Sequence, residues 1–256
     1  SYEGAAMRVG GREQSTYITG DHEVLTSEGM RRVDSLSEDS VIATKHLAPN
    51  DLQAELIDGM LLGDAGYCRP NHLGERGKLY FKHSIAQREW FEVKRSALRG
   101  LYSVVDEAGP VRHKILGQDT ISKGSLTCRF ASIPTWPFQR ARWYRDGIKR
   151  VPLDLALTPI TLAAWYLDDG SLDAESDRII ICTDGFPLED VYLLQSKLSV
   201  VGITARIWEK KRRLVISDGY SGEHLSAFKF FSRIAPFVPP SMQYKLPAVF
   251  QGEYEE

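Results

Sequence analysis

Two stretches decide the fold: Leu56-Ile57-Asp58-Gly59-Met60-Leu61-Leu62-Gly63-Asp64-Ala65 and Leu162-Ala163-Ala164-Trp165-Tyr166-Leu167-Asp168-Asp169-Gly170. Each is an apolar run that stops at an acidic, glycine-bearing turn. The first is preceded by Asn50 and Asp51, either able to cap a helix, and carries Leu52, Leu56, Ile57, Met60 and Leu61 on one helical face. The second follows Thr158-Pro159, a cap with proline at the first helical position, so the spacing predicts a helix over 160–167. Gly59 and Gly63 stand four apart on one face, and Ala164 holds the place that matches Gly59, five residues before its aspartate. Small residues at that spacing let two helices pack with backbones nearly touching. Such a pair brings Asp64 and Asp169 side by side at the helix carboxyl ends.

Around these helices the pattern runs twice. After the first come an alternating strand over 78–84, a helix from about 86 to 104 and an alternating strand over 125–131. After the second come a strand over 178–182, a helix over 187–201, a hairpin over 204–217 turning at Lys210-Lys211-Arg212, and a helix over 222–234. Each copy closes on a lysine shortly before a proline, Lys149 before Pro152 and Lys245 before Pro247. A duplicated α+β unit with pseudo-two-fold symmetry follows. Its boundaries fall at 1–46 for a β-rich extension, 47–152 for the first repeat and 153–256 for the second.

Two carboxylates beside exposed helix-end carbonyls, such as those of Ala65 and Gly170, make an oxygen-rich pocket suited to Mg²⁺, with Mn²⁺ or Ca²⁺ as substitutes. An acid at a helix carboxyl end opposes the helix dipole, by about 0.3–1 kcal/mol, unless a cation is near. Read singly, either turn is equally a plain helix stop.

Composition excludes other classes. The 256 residues are 43% hydrophobic and 26% charged, close to soluble globular averages, with no apolar run of membrane-spanning length. Three scattered cysteines, Cys68, Cys128 and Cys182, form no disulfide framework or zinc motif. Together with the missing secretory stretch, this sets the expectation of an intracellular protein, in a bacterial or phage-host cytoplasm or an organelle matrix. The net charge of −2 hides an asymmetry: residues 1–60 hold five basic against eleven acidic side chains. Positive charge gathers at Arg140, Arg142, Arg145, Lys149 and Arg150, and again at Arg206, Lys210, Lys211, Arg212 and Arg213. Aromatic residues lie alongside (Trp136, Phe138, Trp143, Tyr144, Trp208), as in the footprint of a nucleic-acid binder or a solvated surface face.

The two quoted stretches resemble the paired motifs of the LAGLIDADG homing endonucleases, and the likeness extends through Leu157-Thr158-Pro159 and Met242-Gln243-Tyr244-Lys245-Leu246-Pro247. The resemblance implies two αββαββα halves whose sheets form a saddle on double-stranded DNA. It also implies a monomeric, metal-dependent DNA endonuclease with Asp64 and Asp169 as metal-binding catalytic carboxylates, one per strand, and with Lys149 and Lys245 as bases or charge stabilisers. Asp168 departs from the first motif, where Gly63 packs, and is either an outer acid or a solvent-facing residue. Base readout falls to strand residues: Lys78, Tyr80, Lys82, Thr127 and Arg129 in the first half, and Arg178, Arg206, Trp208, Lys210 and Arg213 in the second, with Arg142 as a further DNA contact. Within the family's range, an RNA-binding maturase and a catalytically inactive DNA-binding regulator are the alternatives.

At the amino end, Ile18-Thr19-Gly20-Asp21, Val24-Leu25-Thr26, Gly29 and Val33-Asp34-Ser35-Leu36 resemble the opening block of an intein splicing domain. Tyr17 stands where that block has its nucleophile, and no His-Asn pair precedes Glu256, so splicing is not expected. The segment reads as a splicing-domain remnant or an unrelated β appendage, with His22 in a turn.

Overall fold

The computed structural model describes residues 6–10, 15–19, 23–26, 29–36, 48–68, 77–101, 103–115, 118–121, 123–131, 133 and 135–252. The chain separates into two compact units, Ser1–His46 and Leu47–Glu256. In the smaller unit, β1 (Ala6–Gly10) pairs antiparallel with β2 (Ser15–Thr19), and β3 (Glu23–Thr26) with β4 (Gly29–Arg32). A 3-10 turn over Val33–Ser35 follows, with Val33 buried. The turn histidine His22 lies outside the described residues.

The larger unit begins at α1 (Asp51–Leu62). Asn50, not Asp51, is its cap: the Asn50 side chain accepts from the Gln53 N–H at 2.9 Å, and the Gln53 side chain accepts from the Asn50 N–H at 3.2 Å. This reciprocal box satisfies two backbone donors that the first turn leaves unpaired. Next come β5 (Ala65–Tyr67), β6 (Leu79–Ser84) and α2 (Arg88–Ala97). The helix is shorter than the 86–104 expected. Gly100 takes a left-handed φ of 98°, and the β-branched pair Val104-Val105 enters β7 (Ser103–Ala108) instead. A hairpin of β8 (Arg112–Ile115) and β9 (Gln118–Ile121) leads to β10 (Ser125–Phe130). Then α3 (Trp136–Trp143) precedes β11 (Tyr144–Arg145) and β12 (Ile148–Lys149), joined by Asp146 and Gly147 at positive φ. Asp-Gly at positive φ is the two-residue connection that matches strand twist.

The second repeat lays down α4 (Pro159–Asp169), β13 (Gly170–Asp173), β14 (Arg178–Cys182), α5 (Leu188–Val200), β15 (Arg206–Trp208), β16 (Arg213–Ile216) and α6 (Ser226–Ile234). Thr158 caps α4 by accepting from the Thr161 N–H, and Pro159 fills the first helical position. The two four-stranded sheets have the same order, β5-β6-β10-β7 and β13-β14-β16-β15, antiparallel throughout. The registers match as well: Ala65 faces Phe81 where Gly170 faces Ile181. The fold is therefore a duplicated α+β unit. Leu79, Phe81, Leu126, Cys128 and Phe130 turn inward from the first sheet, and Ile179, Ile181, Leu214 and Ile216 from the second, into one apolar core with α1 and α4. Alternation turns the other side chains of each sheet to the opposite face. Among the described residues, no helix is long and apolar enough to cross a membrane.

Candidate active site

The site begins where α1 meets α4. A Cβ built on Gly59 would lie 2.5 Å from the Thr161 carbonyl oxygen and 2.8 Å from Ala164 Cβ; one on Gly63 would lie 2.5 Å from Asp168 Cβ. Gly59, Gly63 and Ala164 thus sit at the crossing, where no larger side chain would fit. Asp64 follows the last turn of α1 and Asp169 ends α4. Each helix directs its carbonyl-rich end at the same region, and both acids carry raised pKa values. Burial is the main cause for each. Asp169 is pushed up to about 7, with the charges of Asp64 and then Asp168 adding to the effect. The Asp64 carboxyl moves in the same direction, with Asp168 as the next cause. Its side chain remains 40% exposed.

Lys149 and Lys245 occupy matched places. Lys149 Nζ donates to the Ala65 carbonyl at 2.9 Å and to Gly63 at 3.4 Å. Lys245 Nζ donates to Leu167 at 2.6 Å, Gly170 at 2.9 Å and Tyr166 at 3.4 Å. They place positive charge on carbonyls at and just beyond the helix ends, as a cation at a helix carboxyl end should. Each of Ala65 and Gly170 therefore already shares one carbonyl lone pair with a lysine. Burial lowers both ammonium groups, Lys149 to about 8, opposed by the nearby aspartates.

Asp168 does not face solvent. It crosses to the first repeat, where Oδ1 accepts from Trp90 Nε1 at 2.7 Å and from Lys94 Nζ at 2.8 Å, and Oδ2 accepts from Lys94 at 3.0 Å and from the Asp64 N–H at 3.3 Å. Lys94 is fully buried, with its ammonium 4.9 Å from the centre of the Phe81 ring. His83, also buried, stands between the two motifs: Nδ1 is 3.4 Å from Asp64 Oδ2 and Nε2 is 3.6 Å from Asp168 Oδ1. Asp64, His83 and Asp168 together could hold a metal ion. Sequence reasoning missed His83, Lys94 and Trp90. Their signals were a histidine continuing the inward series Leu79, Phe81, and a lysine within the apolar stripe Trp90, Phe91, Leu98.

The strand residues divide unevenly. Tyr80, Lys82, Thr127 and Arg129 share the outward face of the first sheet, with Lys78 just before β6, and Arg129 pairs with Asp106. Arg178, Arg206, Trp208 and Arg213 share that of the second, with Lys210 in the exposed turn that follows. Lys211 lies 4.1 Å above the Trp208 ring. Arg142 is not on either sheet; it sits in α3, bonded to Asp58 at 2.6 Å and to Asp154 at 2.9 Å. Arg150 is clamped by Asp190 and Glu189. Trp136 and Trp143 are fully buried. Much of the first basic and aromatic cluster is thus spent inside the protein, while the second is on the surface.

A model of the LAGLIDADG DNA endonuclease family matches residues 54–220. Protein RecA of Mycolicibacterium flavescens is 28% identical over 96% of this chain, which spans only 59% of that protein's length. The cytochrome b mRNA maturase bI2 of Debaryomyces hansenii is 26% identical, covering 75% of this chain and 72% of the maturase. Among solved structures, the homing endonuclease I-WcaI bound to its DNA recognition sequence superposes with a TM-score of 0.63 at 18% identity, covering 83% of this chain and 95% of that one.

Proposed function

The chain belongs to the LAGLIDADG DNA endonuclease family, and we propose that it is a site-specific, divalent-metal-dependent endonuclease that hydrolyses both strands of a long double-stranded DNA target. One observation carries this reading: two aspartates stand at the ends of a pair of tightly crossed helices, each backed by a lysine from its own repeat. The boundaries 47–152 and 153–256 mark its two halves. Since one chain supplies both, the enzyme acts as a monomer.

The donor set suits a hard dication. Burial and neighbouring carboxylates raise both carboxyls, and a cation would remove that penalty. Asp64 and Asp169 would hold Mg²⁺, with the Ala65 and Gly170 carbonyls contributing their second lone pairs. Bound metal supplies a Lewis acid for the scissile phosphate and lowers the pKa of water. Lys149, held at about 8, is placed to stabilise charge on the phosphate or to exchange a proton near neutral pH. Lys245, whose ammonium is also lowered by burial, would stabilise charge at the second strand. The outward faces of the two sheets, from Lys82 to Arg206 and Trp208, take the DNA. The likeness to I-WcaI, a homing endonuclease seen bound to its DNA recognition sequence, supports that reading.

Residues 1–46 fit a splicing-domain remnant carried with the nuclease. The RecA match over 96% of the chain takes in most of that segment. Three unpaired cysteines suit a reducing, intracellular compartment. The D. hansenii likeness favours a second reading, an RNA-binding maturase; both aspartates and both lysines in place argue against an inactive regulator. Incubation with a randomised duplex library and Mg²⁺, followed by sequencing of the cut ends, tests the proposal. One recurrent site supports it. No cut product, with tighter binding to a structured intron RNA than to any duplex, supports the maturase.

A further inference from the structure

The two halves differ at one position that strand register makes equivalent. Two residues beyond Phe81, which faces Ala65, the first sheet has His83; two residues beyond Ile181, which faces Gly170, the second has Thr183. Thr183 is occupied, its hydroxyl donating to the Arg212 carbonyl at 2.5 Å. His83 is not. It is 3% exposed, its side chain is fully enclosed, and Nε2 has no hydrogen-bond partner. An enclosed imidazole nitrogen without a partner costs free energy unless something completes the arrangement.

The surroundings say what would. A neutral imidazole carries one N–H. Placed on Nε2, that proton sits on the nitrogen nearer Asp168, whose Oδ1 is 3.6 Å away, and the Nδ1 lone pair is left beside Asp64 Oδ2 at 3.4 Å. Two donors about 2.1 Å from one ion, at a near-tetrahedral angle, lie about 3.4 Å apart. Gln87 Oε1, 3.3 Å from Nδ1, is a further oxygen donor beside the same nitrogen. Carboxylate, then histidine, then metal is the usual order in which an outer acid fixes the tautomer of a liganding imidazole. Asp168 is held in that outer place by Lys94 and Trp90.

We propose that His83 Nδ1 and Asp64 Oδ2 form a nitrogen-containing metal site in the first half only, oriented by Asp168, which takes Co²⁺, Mn²⁺ or Zn²⁺ more tightly than Mg²⁺. At Asp169 no histidine holds the matching place, which Thr183 fills. Imidazole favours transition metals over Mg²⁺, which prefers carboxylate, carbonyl and water. The inference rests on the reading of Asp64 as a metal carboxylate, but it needs no DNA cleavage.

The test is a Co²⁺ titration of the full chain without DNA, followed by visible absorption and by proton NMR. Cobalt should give one tight site and a contact-shifted imidazole N–H resonance. His83→Gln should weaken Co²⁺ binding at that site at least tenfold, and Mg²⁺ binding by much less. Equal Co²⁺ affinity in His83→Gln would overturn the proposal. Should that variant fail to fold, Asp64→Asn leaves the histidine untouched and should lose the shifted resonance; a resonance retained there, or absent from the unaltered chain, overturns it too. Cobalt bound through His83 by a chain that cuts no DNA would sink the nuclease reading alone. Cutting with Mg²⁺ but no His83 signal would sink this one alone.

Discussion

The Lys94 ammonium lies 2.8 and 3.0 Å from the two carboxylate oxygens of Asp168, 74 residues away in the other repeat, and both side chains are fully enclosed. This ion pair bolts α2 of one half to the end of α4 of the other. Trp90 and the Asp64 N–H complete the acid's bonding, so the pair also fixes the backbone at the first of the paired aspartates.

Removing one partner should therefore cost more than the pair itself contributes. Lys94→Met leaves a buried carboxylate unpaired and should destabilise the protein by about 3–5 kcal/mol. Adding Asp168→Leu should restore much of the loss, because the uncompensated charge is gone. Urea denaturation of the unaltered chain and the two variants measures both effects; a double variant no more stable than Lys94→Met would count against the ion-pair account.

The helix crossing makes a second demand. Gly59→Val would drive methyl groups into the Thr161 backbone, an overpacking expected to cost about 1–3 kcal/mol or more. At Gly185 a Cβ meets nothing within 4 Å, so Gly185→Ala should leave the melting temperature unchanged. Thermal unfolding of the two variants separates packing from a general intolerance of glycine replacement.

Much of this was legible and some was not. The α1 and α4 helices announce themselves through Asn50, Thr158 and Pro159 and through local periodicity, which tertiary context did not override. Alternation announces β6 and β10, whereas β5, β7 and β13 carry no such signal and complete the sheets unannounced. The Asp168 side chain could not be placed, because its partners lie on a helix far away in sequence. Lys94 and His83 looked like surface residues by type, and only their place in inward-facing series betrays them. Trp136 and Trp143 are read as surface aromatics from neighbouring arginines, yet Arg142 and Arg150 among those arginines are held against the protein by Asp58, Asp154 and Asp190.

The acids set a pH dependence. In the metal-free fold Asp169 holds its proton up to about 7, against 3.8 for the free side chain. Between those values the folded state binds more protons than the unfolded one, so stability falls as pH rises from about 4 to 7. Lys149, lowered to about 8 from 10.5, works oppositely above pH 8, where the unfolded chain holds the extra proton and stability rises. Asp169→Asn should flatten the acid-side decline in melting temperature measured without metal. Divalent metal should bind more weakly below pH 7, because it competes with that proton.

Charge on the sheets makes a fourth prediction. Lys82→Ala and Lys210→Ala should each lower the salt dependence of DNA binding by about one unit of slope for every phosphate no longer neutralised. Arg142→Ala, which removes a partner of Asp58 and Asp154, should lower stability and leave that slope unchanged. Filter-binding titrations at several salt concentrations distinguish the DNA-facing cations from the structural one.

The most direct measurement is cleavage of a library-selected duplex by the Asp64→Asn, Asp169→Asn double variant beside the unaltered chain, with Mg²⁺. The unaltered chain should cut both strands at one place, while the double variant retards the same duplex in a gel and cuts neither strand. Double-strand cutting by that variant at an undiminished rate would contradict the assignment of the paired aspartates as the reaction centre.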